Sequence, residues 1–230
     1  MGDITNLAGI IRVHGEALGD KTALILGDRE QTWAELRDRS ARVAQALLAA
    51  GVGEQERVAF LDKNGLEHFE VMFGAAMINA VCVDVNWRLA APEVEFVVNG
   101  TEAKVLVVGP DFVPILDAIA DNLTHVTTIV VIGGHERFRD YEEWVGAFDA
   151  VDPGTDSALD DVAFQLYSSG TTGRPKGVMI TNANFFSLLP MAKELWELTP
   201  DTVSLVAMPL FHIAGGGWAV AGMYEGCTSV

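Results

Sequence analysis

Positive charge is scarce in this sequence. Fifteen Lys and Arg stand against 32 Asp and Glu in 230 residues, a formal net charge of −17. A surface so short of cations excludes a dedicated nucleic-acid or anionic-membrane binder, because both need clustered Lys or Arg to meet phosphates. Cysteine is scarcer still. Cys82 and Cys227 lie 145 positions apart, too few and too distant for a disulfide framework or a metal motif. They fit the reducing cytoplasm, each as a small buried apolar residue. Long apolar runs are missing, and stretches such as 75–78 and 105–108 fall far short of a membrane span. The first residues, Met1-Gly2-Asp3-Ile4-Thr5-Asn6, lack the basic region and apolar core of a secretion signal, and Asn6 stands where an N-myristoylation pattern wants Ser or Thr. There is no short-period repeat and no Pro/Ser-rich linker. The expectation is a soluble, cytoplasmic protein with no nucleic-acid partner and no transmembrane segment.

What is present is a core. Half the residues are hydrophobic, and the length suits one large domain or two small ones. Thr32-Trp33-Ala34-Glu35 is a capping-box signature, followed by Leu36, Val43 and Leu47 at helical spacing and by Gly51 as a left-handed stop. Strands are expected at 57–61, 81–85, 104–108, 126–132, 162–167, 178–180 and 203–207. Helices are expected from 64 through Met77, over 92–98, 111–122 and 182–198 with a kink at Pro190, and over 213–224. Strands separated by helix-length crossovers imply an α/β fold of largely parallel sheets covered by helices in βαβ units. The soft boundary is 149–161, with five Asp, one Pro and one Gly, which reads as a surface loop between two subdomains. The last residues, Cys227-Thr228-Ser229-Val230, look like the start of a strand, from which a fragment of a longer protein is expected.

The chemistry concentrates in Tyr167-Ser168-Ser169-Gly170-Thr171-Thr172-Gly173-Arg174-Pro175-Lys176-Gly177, a Gly- and hydroxyl-rich turn between two strands. Glycines let backbone N–H groups approach an oxyanion, hydroxyls add donors, and Lys176 supplies charge for a polyphosphate. From Asp140 to Gly173 there are eight acidic residues and no Lys or Arg, so Arg174 and Lys176 break an acidic tract at the turn. The spacing is not that of a Walker A loop, because five residues separate Gly170 from Lys176 and Gly177 follows the lysine.

The string does resemble the phosphate-binding signature Y-T-S-G-T-T-G-x-P-K-G of the adenylate-forming superfamily, which includes the acyl-CoA synthetases, with Ser168 keeping the hydroxyl of the first Thr. Three further stretches agree in order. Thr32–Leu36 resembles the early T-Y-x-E-L element. Ile78–Leu89 resembles G-A-x-x-x-P-x-N-x-R-L, with Asn79 for the Gly and Asp84 for the Pro. Pro209–Gly216 resembles P-x-F-H-x-x-G at the acyl pocket. The resemblance spans essentially the whole chain and implies part of the N-terminal domain of the acyl-CoA synthetase fold, residues 1–230, with the C-terminal domain absent.

The implied chemistry is ATP-dependent activation of a carboxylic, and specifically a fatty, acid to an acyl-adenylate, followed by transfer to coenzyme A. Carried onto matching positions, Ser168, Ser169, Gly170, Thr171, Thr172, Gly173 and Lys176 would hold the β- and γ-phosphates of ATP. Lys176 and Thr172 take the catalytic part, and Lys176 is the main point charge at the departing pyrophosphate. Ser168 is the position for a hydroxyl near Mg²⁺, and Arg174 carries no role. His212, which alone would read as an ordinary half-buried histidine after a strand, would line the acyl pocket in this string. Gly215 and Gly216, with Gly217, either let an acyl chain pass close to the helix backbone or permit close helix packing.

Other residues take bland readings. Trp218 and Met223 are expected in the core, Asp84 as a solvated or capped carboxylate, and His14, His68, His125 and His135 as surface or incidental residues. Family members run to roughly twice this length, so the fragment alone is expected to be inactive. The alternative is a binding-only or pseudo-enzyme nucleotide-phosphate-binding domain. A self-sufficient phosphate hydrolase would need a metal-binding carboxylate cluster near the loop, for which 149–161 is the candidate.

Overall fold

The computed structural model describes residues 4–168 and 175–230. Helix α1 (Leu7–Ala17) is capped by Asn6, whose Oδ1 accepts from Gly9 N at 2.8 Å. A hairpin follows, β1 (Thr22–Leu26) and β2 (Arg29–Thr32), turning at Gly27 with φ of +60°. The capping box then starts α2 (Trp33–Ala49). Thr32 Oγ1 accepts from Glu35 N at 3.2 Å, and Glu35 Oε2 accepts from Thr32 N at 2.8 Å.

The chain next winds β3 (Arg57–Leu61), α3 (Leu66–Met77), β4 (Val81–Asp84), α4 (Ala91–Gly100), β5 (Val105–Val108), α5 (Val113–Ile119), β6 (Thr128–Val131), β7 (Arg139–Asp140) and α6 (Tyr141–Gly146). After the 149–161 segment come β8 (Val162–Ser168), β9 (Lys176–Thr181), α7 (Asn182–Phe186), α8 (Ala192–Trp196), β10 (Val203–Ser204), α9 (Ile213–Tyr224) and β11 (Thr228–Ser229).

Seven strands form one sheet in the order β7-β6-β5-β3-β4-β8-β9, parallel except for the β8–β9 hairpin at one edge. Its central strands are buried on both faces, as continuous apolar runs such as Val105–Val108 require. One face packs against α1, α2, α3 and α9 through Phe60, Phe73, Phe164 and Val220, and the other against α4 and α5 through Leu61, Val97, Leu106 and Leu116. A four-stranded sheet, β10-β11-β1-β2, pairs Leu24 with Ser229 in parallel and β1 with β2 in antiparallel. Because the large sheet is parallel, the ends of β3, β4, β5 and β8 share one edge, where ligands of open α/β sheets bind.

Several expectations need correction. The helix expected over 111–122 is broken into two 3₁₀ turns around α5, and the one over 182–198 into α7, a 3₁₀ turn at Leu189–Met191 and α8. Pro114 and Pro190 sit at the starts of the new pieces, where their missing N–H groups do no harm. The strand expected to reach 207 stops at Ser204. His68 and Asp84 are neither solvated nor incidental: each side chain is 3% exposed, and His68 Nε2 lies 2.8 Å from Asp84 Oδ1. His14 is buried too, with Nε2 at 2.9 Å from Tyr224 O and its ring against Trp33. His135 lies 3.2 Å from Asp117, whereas His125 is exposed as expected. Met223 is in the core, but Trp218 is half-buried and lines a groove.

The 149–161 segment runs along the surface, strapped to the first two helices. Arg12 makes a two-pronged contact with Asp152 at 2.7 and 2.9 Å, Asn6 Nδ2 donates to Asp156, and Gln45 Nε2 donates to Val151 O. Asp161 accepts from Asn79 Nδ2 at 3.0 Å and from Ala158 N at 2.8 Å. The carboxylates of Asp152, Asp156 and Asp161 thus serve as anchors, and among the described residues no group of three or more His, Cys, Asp or Glu could hold a metal ion.

Candidate active site

The β8–β9 hairpin brings Ser168 and Lys176 opposite each other at its turn end, on the edge of the sheet where β3, β4, β5 and β8 finish. Both are exposed, and the connection from 169 to 174 springs from them. Ser169, Gly170, Thr171, Thr172 and Gly173, together with Arg174, lie outside the described residues. The close approach at Gly177 is visible: a Cβ there would fall 2.9 Å from Gln165 Nε2 and 3.4 Å from the Tyr167 ring. Burial pushes the Tyr167 phenol above its usual range, so it stays neutral and acts as packing beside the lysine.

The second part of the site is the start of α9. His212 is its N-cap, with Nδ1 accepting from Ala214 N at 3.1 Å. A ring nitrogen that accepts carries no proton, so in the neutral ring the proton sits on Nε2. His212 therefore presents a donor from an exposed position, suited to an incoming carboxylate. Gly215 and Gly216 turn the other way. A Cβ on Gly215 would lie 2.1 Å from Pro209 O, and one on Gly216 2.8 Å from Leu210 O. Of the two readings open for these glycines, the geometry matches close packing of the helix on the preceding loop. Gly217 has more room: a Cβ there would be in ordinary contact with Ile213 Cδ1 at 3.4 Å, and the residue borders a larger space.

That space is a groove of about 540 Å³ between β9, α7, α8 and α9. Its walls include Met179, Phe185, Trp196, Ile213, Gly217 and Trp218, and Asn184 is the one polar side chain among its lining residues, none of which is charged. Trp196 and Trp218 meet edge to face with ring centroids 5.6 Å apart, and Trp218 Nε1 donates to Leu205 O at 3.2 Å. Such a groove suits an apolar chain or ring and offers no cation for a second carboxylate. A concavity of about 590 Å³ beside β2 and α2 contrasts with it, being lined mainly by carboxylates and by Arg29 and Arg39. Its cations are already engaged: Arg39 binds Glu70 at 2.7 Å and both oxygens of Glu142, and Arg29 binds Glu67 at 2.5 Å.

Three neighbouring contacts were not foreseen. Arg88 lies over the rings of Trp87, 4.6 Å from its centroid, and of Phe211, 5.7 Å away, joining the Asn86–Leu89 stretch to the loop before His212. Asn64 binds the backbone of that same loop. The His68–Asp84 pair lies inside the sheet edge. With Val83 paired to Gln165, Asp84 is level with Leu166, two residues before Ser168. Among the described residues, Asp84 Oδ2 and both ring nitrogens of His68 have no hydrogen-bond partner, so the 2.8 Å approach of Nε2 to Oδ1 is a close polar contact and not a formed hydrogen bond. Cys82 Sγ donates to Asp84 Oδ1 at 3.5 Å, and burial, then the neighbouring carboxylate, pushes that thiol well up.

The departures from the family pattern at 79 and 84 thus come with partners. Asn79 takes φ of +55°, a conformation that Gly adopts freely and Asn tolerates, and its Nδ2 binds Glu54 and Asp161. Asp84 is matched by His68.

Comparison with known proteins agrees with this geometry. The sequence pattern of AMP-binding enzymes matches residues 11–230. A fatty acid–[acyl-carrier-protein] ligase, ScoC of Streptomyces coeruleorubidus, is 34% identical over 224 residues, covering 94% of this chain and 41% of that protein. A feruloyl-CoA synthase of Amycolatopsis is 35% identical over 197 residues, covering 85% of this chain and 37% of that one. The solved anthranilate CoA ligase AuaEII, in complex with anthranoyl-AMP, superposes with a TM-score of 0.93 at 27% identity, over 98% of this chain and 44% of its own. The inhibitor-bound N-terminal domain of FACL13 from Mycobacterium tuberculosis gives 0.89 at 30% identity, over 97% of this chain and 56% of its own. The chain spans about two fifths of the length of these curated relatives, 41% and 37%. With both its sequence pattern and its fold matched, the chain belongs to the AMP-binding enzyme family, the adenylate-forming acid ligases, and corresponds to their N-terminal region.

Proposed function

We propose that this chain is the N-terminal part of a cytoplasmic ligase that activates a fatty acid with ATP and passes the acyl group to coenzyme A. The observation that carries the reading is the uncharged groove of about 540 Å³ that runs from the first turn of α9 along β9, the strand that begins at Lys176. An apolar tail fits the groove, the carboxylate meets the Nε2 donor of His212, and the phosphates of ATP meet Lys176 and the 168–173 stretch. A carboxylate oxygen attacks the α-phosphorus, the bond to the β-phosphate oxygen breaks, and pyrophosphate leaves. A thiol then displaces AMP from the acyl carbon.

Lys176 would act as a fixed charge at the leaving pyrophosphate, where charge develops. Mg²⁺ fits only as part of the substrate MgATP. Ser168 offers one hydroxyl, the described residues supply no carboxylate cage, and Mg²⁺ commonly rides on substrate phosphates with few protein ligands.

The test is acid-dependent ATP–pyrophosphate exchange with dodecanoate. The chain alone should show essentially none, and the same chain within the whole ligase should show exchange that requires the acid. Full exchange by the isolated chain would refute the division of the site. ATP hydrolysis without any acid would replace the ligase reading with a hydrolase.

A further inference from the structure

The segment from Leu205 to Phe211, between β10 and α9, belongs to no strand or helix, so its backbone groups need partners outside regular structure. One side chain supplies three of them. Asn64, in the loop between β3 and α3, donates from Nδ2 to Met208 O at 3.0 Å and to Val206 O at 3.4 Å, and its Oδ1 accepts from Leu210 N at 3.0 Å. Both amide hydrogens and the carbonyl oxygen are thereby used. The amide orientation is fixed by its partners, since the oxygen would repel the two carbonyls. These partners lie 142 to 146 residues away in sequence. Asn64 therefore ties the ligand-binding edge of the large sheet to a loop arriving from the small one.

What the loop carries makes that tie consequential. The carbonyls of Pro209 and Leu210 are the surfaces against which Gly215 and Gly216 pack, and His212 N donates to Pro209 O at 3.1 Å. The position of residues 208–210 thus sets where α9 begins, where His212 stands, and where Ile213 and Gly217 line the groove. Phe211 is held from the other side by Arg88 and Trp87.

We propose that Asn64 is a positioning residue for the acid half of the reaction: without touching substrate, it holds the 206–210 loop so that His212 and the first turn of α9 frame the groove. This rests on the reading that the groove takes the acyl chain. A misplacement of about 1 Å far from the reacting atoms is enough to impair a pre-organised site.

The experiment compares the chain with Asn64→Ala and Asn64→Asp by amide hydrogen exchange, alongside dodecanoate binding followed by tryptophan emission. In Asn64→Ala the amides of Leu210 and His212 should exchange at least ~10-fold faster, while those of Val58 in β3 and Val71 in α3 keep their protection. Asn64→Asp retains the acceptor for Leu210 N but sets an oxygen against two carbonyls, so Leu210 should stay better protected than in Asn64→Ala. The dissociation constant for dodecanoate should rise at least ~5-fold in Asn64→Ala and less in Asn64→Asp.

Unchanged exchange at Leu210 and His212 would overturn the proposal. A uniform loss of protection across the chain in both variants would overturn it too, by reducing Asn64 to a general stabiliser. A loop loosened as expected in a chain whose unaltered form binds no dodecanoate would sink the acyl-groove reading and leave the clamp standing.

Discussion

The glycines at the start of α9 allow the two functions of small residues, packing and clearance, to be separated by one methyl group each. Gly→Ala inside a helix ordinarily stabilises by about 1 kcal/mol, from backbone entropy and propensity. At Gly215 the added Cβ would sit 2.1 Å from Pro209 O, more than 1 Å inside ordinary contact, with Met208 O and Pro209 C each at 2.6 Å. All three obstacles are backbone, so relief requires α9 or the loop to move. Overpacking of this kind costs about 1–3 kcal/mol, and rigid backbone puts it at the upper end. After the propensity gain, Gly215→Ala should destabilise by about 2 kcal/mol, a fall in Tm of about 4–8 °C for a chain of this size.

Two residues along, the sign reverses. A Cβ on Gly217 meets nothing nearer than Ile213 Cδ1 at 3.4 Å and projects toward the groove. Gly217→Ala should therefore be neutral or up to ~1 kcal/mol stabilising, while narrowing the groove and weakening dodecanoate binding. Urea unfolding of both variants at one pH measures the contrast. A Gly215→Ala protein as stable as the unaltered chain would refute the packing argument. Destabilisation at Gly217 would show that the groove is closed in solution.

Three further outcomes are expected. Asp84→Ala should cost about 1–3 kcal/mol by leaving buried His68 without the polar group 2.8 Å from it, and His68→Leu with Asp84→Val should recover most of that loss, because replacing both buried polar partners by apolar groups of similar shape is often nearly neutral; urea midpoints decide it. Burial, more than the nearby Lys21 charge, holds the His14 imidazole below its ordinary pKa near 6.5 despite its bond to Tyr224 O. The unfolded chain therefore takes up a proton there before the folded one does. This share of stability is complete above pH 6.5 and is lost as pH falls below it, by up to ~1.4 kcal/mol per pH unit; the slope should vanish in His14→Gln. Lys176→Ala should leave Tm within about 1 °C, since the side chain is exposed, while weakening ATP binding about 10-fold by calorimetry; equal affinity would remove Lys176 from the phosphate site.

Legibility from sequence followed the range of the interactions. The capping box at Thr32, the apolar run at 105–108 and the 213–224 helix are local patterns, and each appears where its residues stand in sequence. The hairpin of β1 and β2 has no clear sequence signal, because Arg29-Glu30-Gln31 offers no apolar alternation and pairs through backbone groups instead. The histidines depart from expectation for a different reason. His14 and His68 look like isolated polar residues until the fold brings Tyr224 to one and Asp84 to the other, from 210 and 16 positions away. Asn64 carried only the mark of a turn before a helix, because its partners are backbone atoms of a remote loop. At Gly215 and Gly216 sequence leaves packing and clearance equally open, and the nearby carbonyls of Pro209 and Leu210, which no sequence pattern encodes, fit the packing reading.

The pairing of Leu24 with Ser229 has a consequence for how the chain is made. Strand β1 leaves the ribosome early, but the strand beside it is synthesised about 200 residues later, a delay of roughly 10–40 s at about 5–20 residues per second. Until then β1 has only the short hairpin with β2, and an isolated hairpin is marginal in water. The large sheet can assemble from β3 onward in the order of synthesis, since β3, β4, β5 and β6 follow one another and pair locally in space. The N-terminal hairpin must instead wait as a nascent strand edge for its partner. A growing chain stalled before residue 228 should therefore hold a protease-resistant β3–β6 core with α1 packed on α2 and α3, and a cleavable hairpin at residues 22–32.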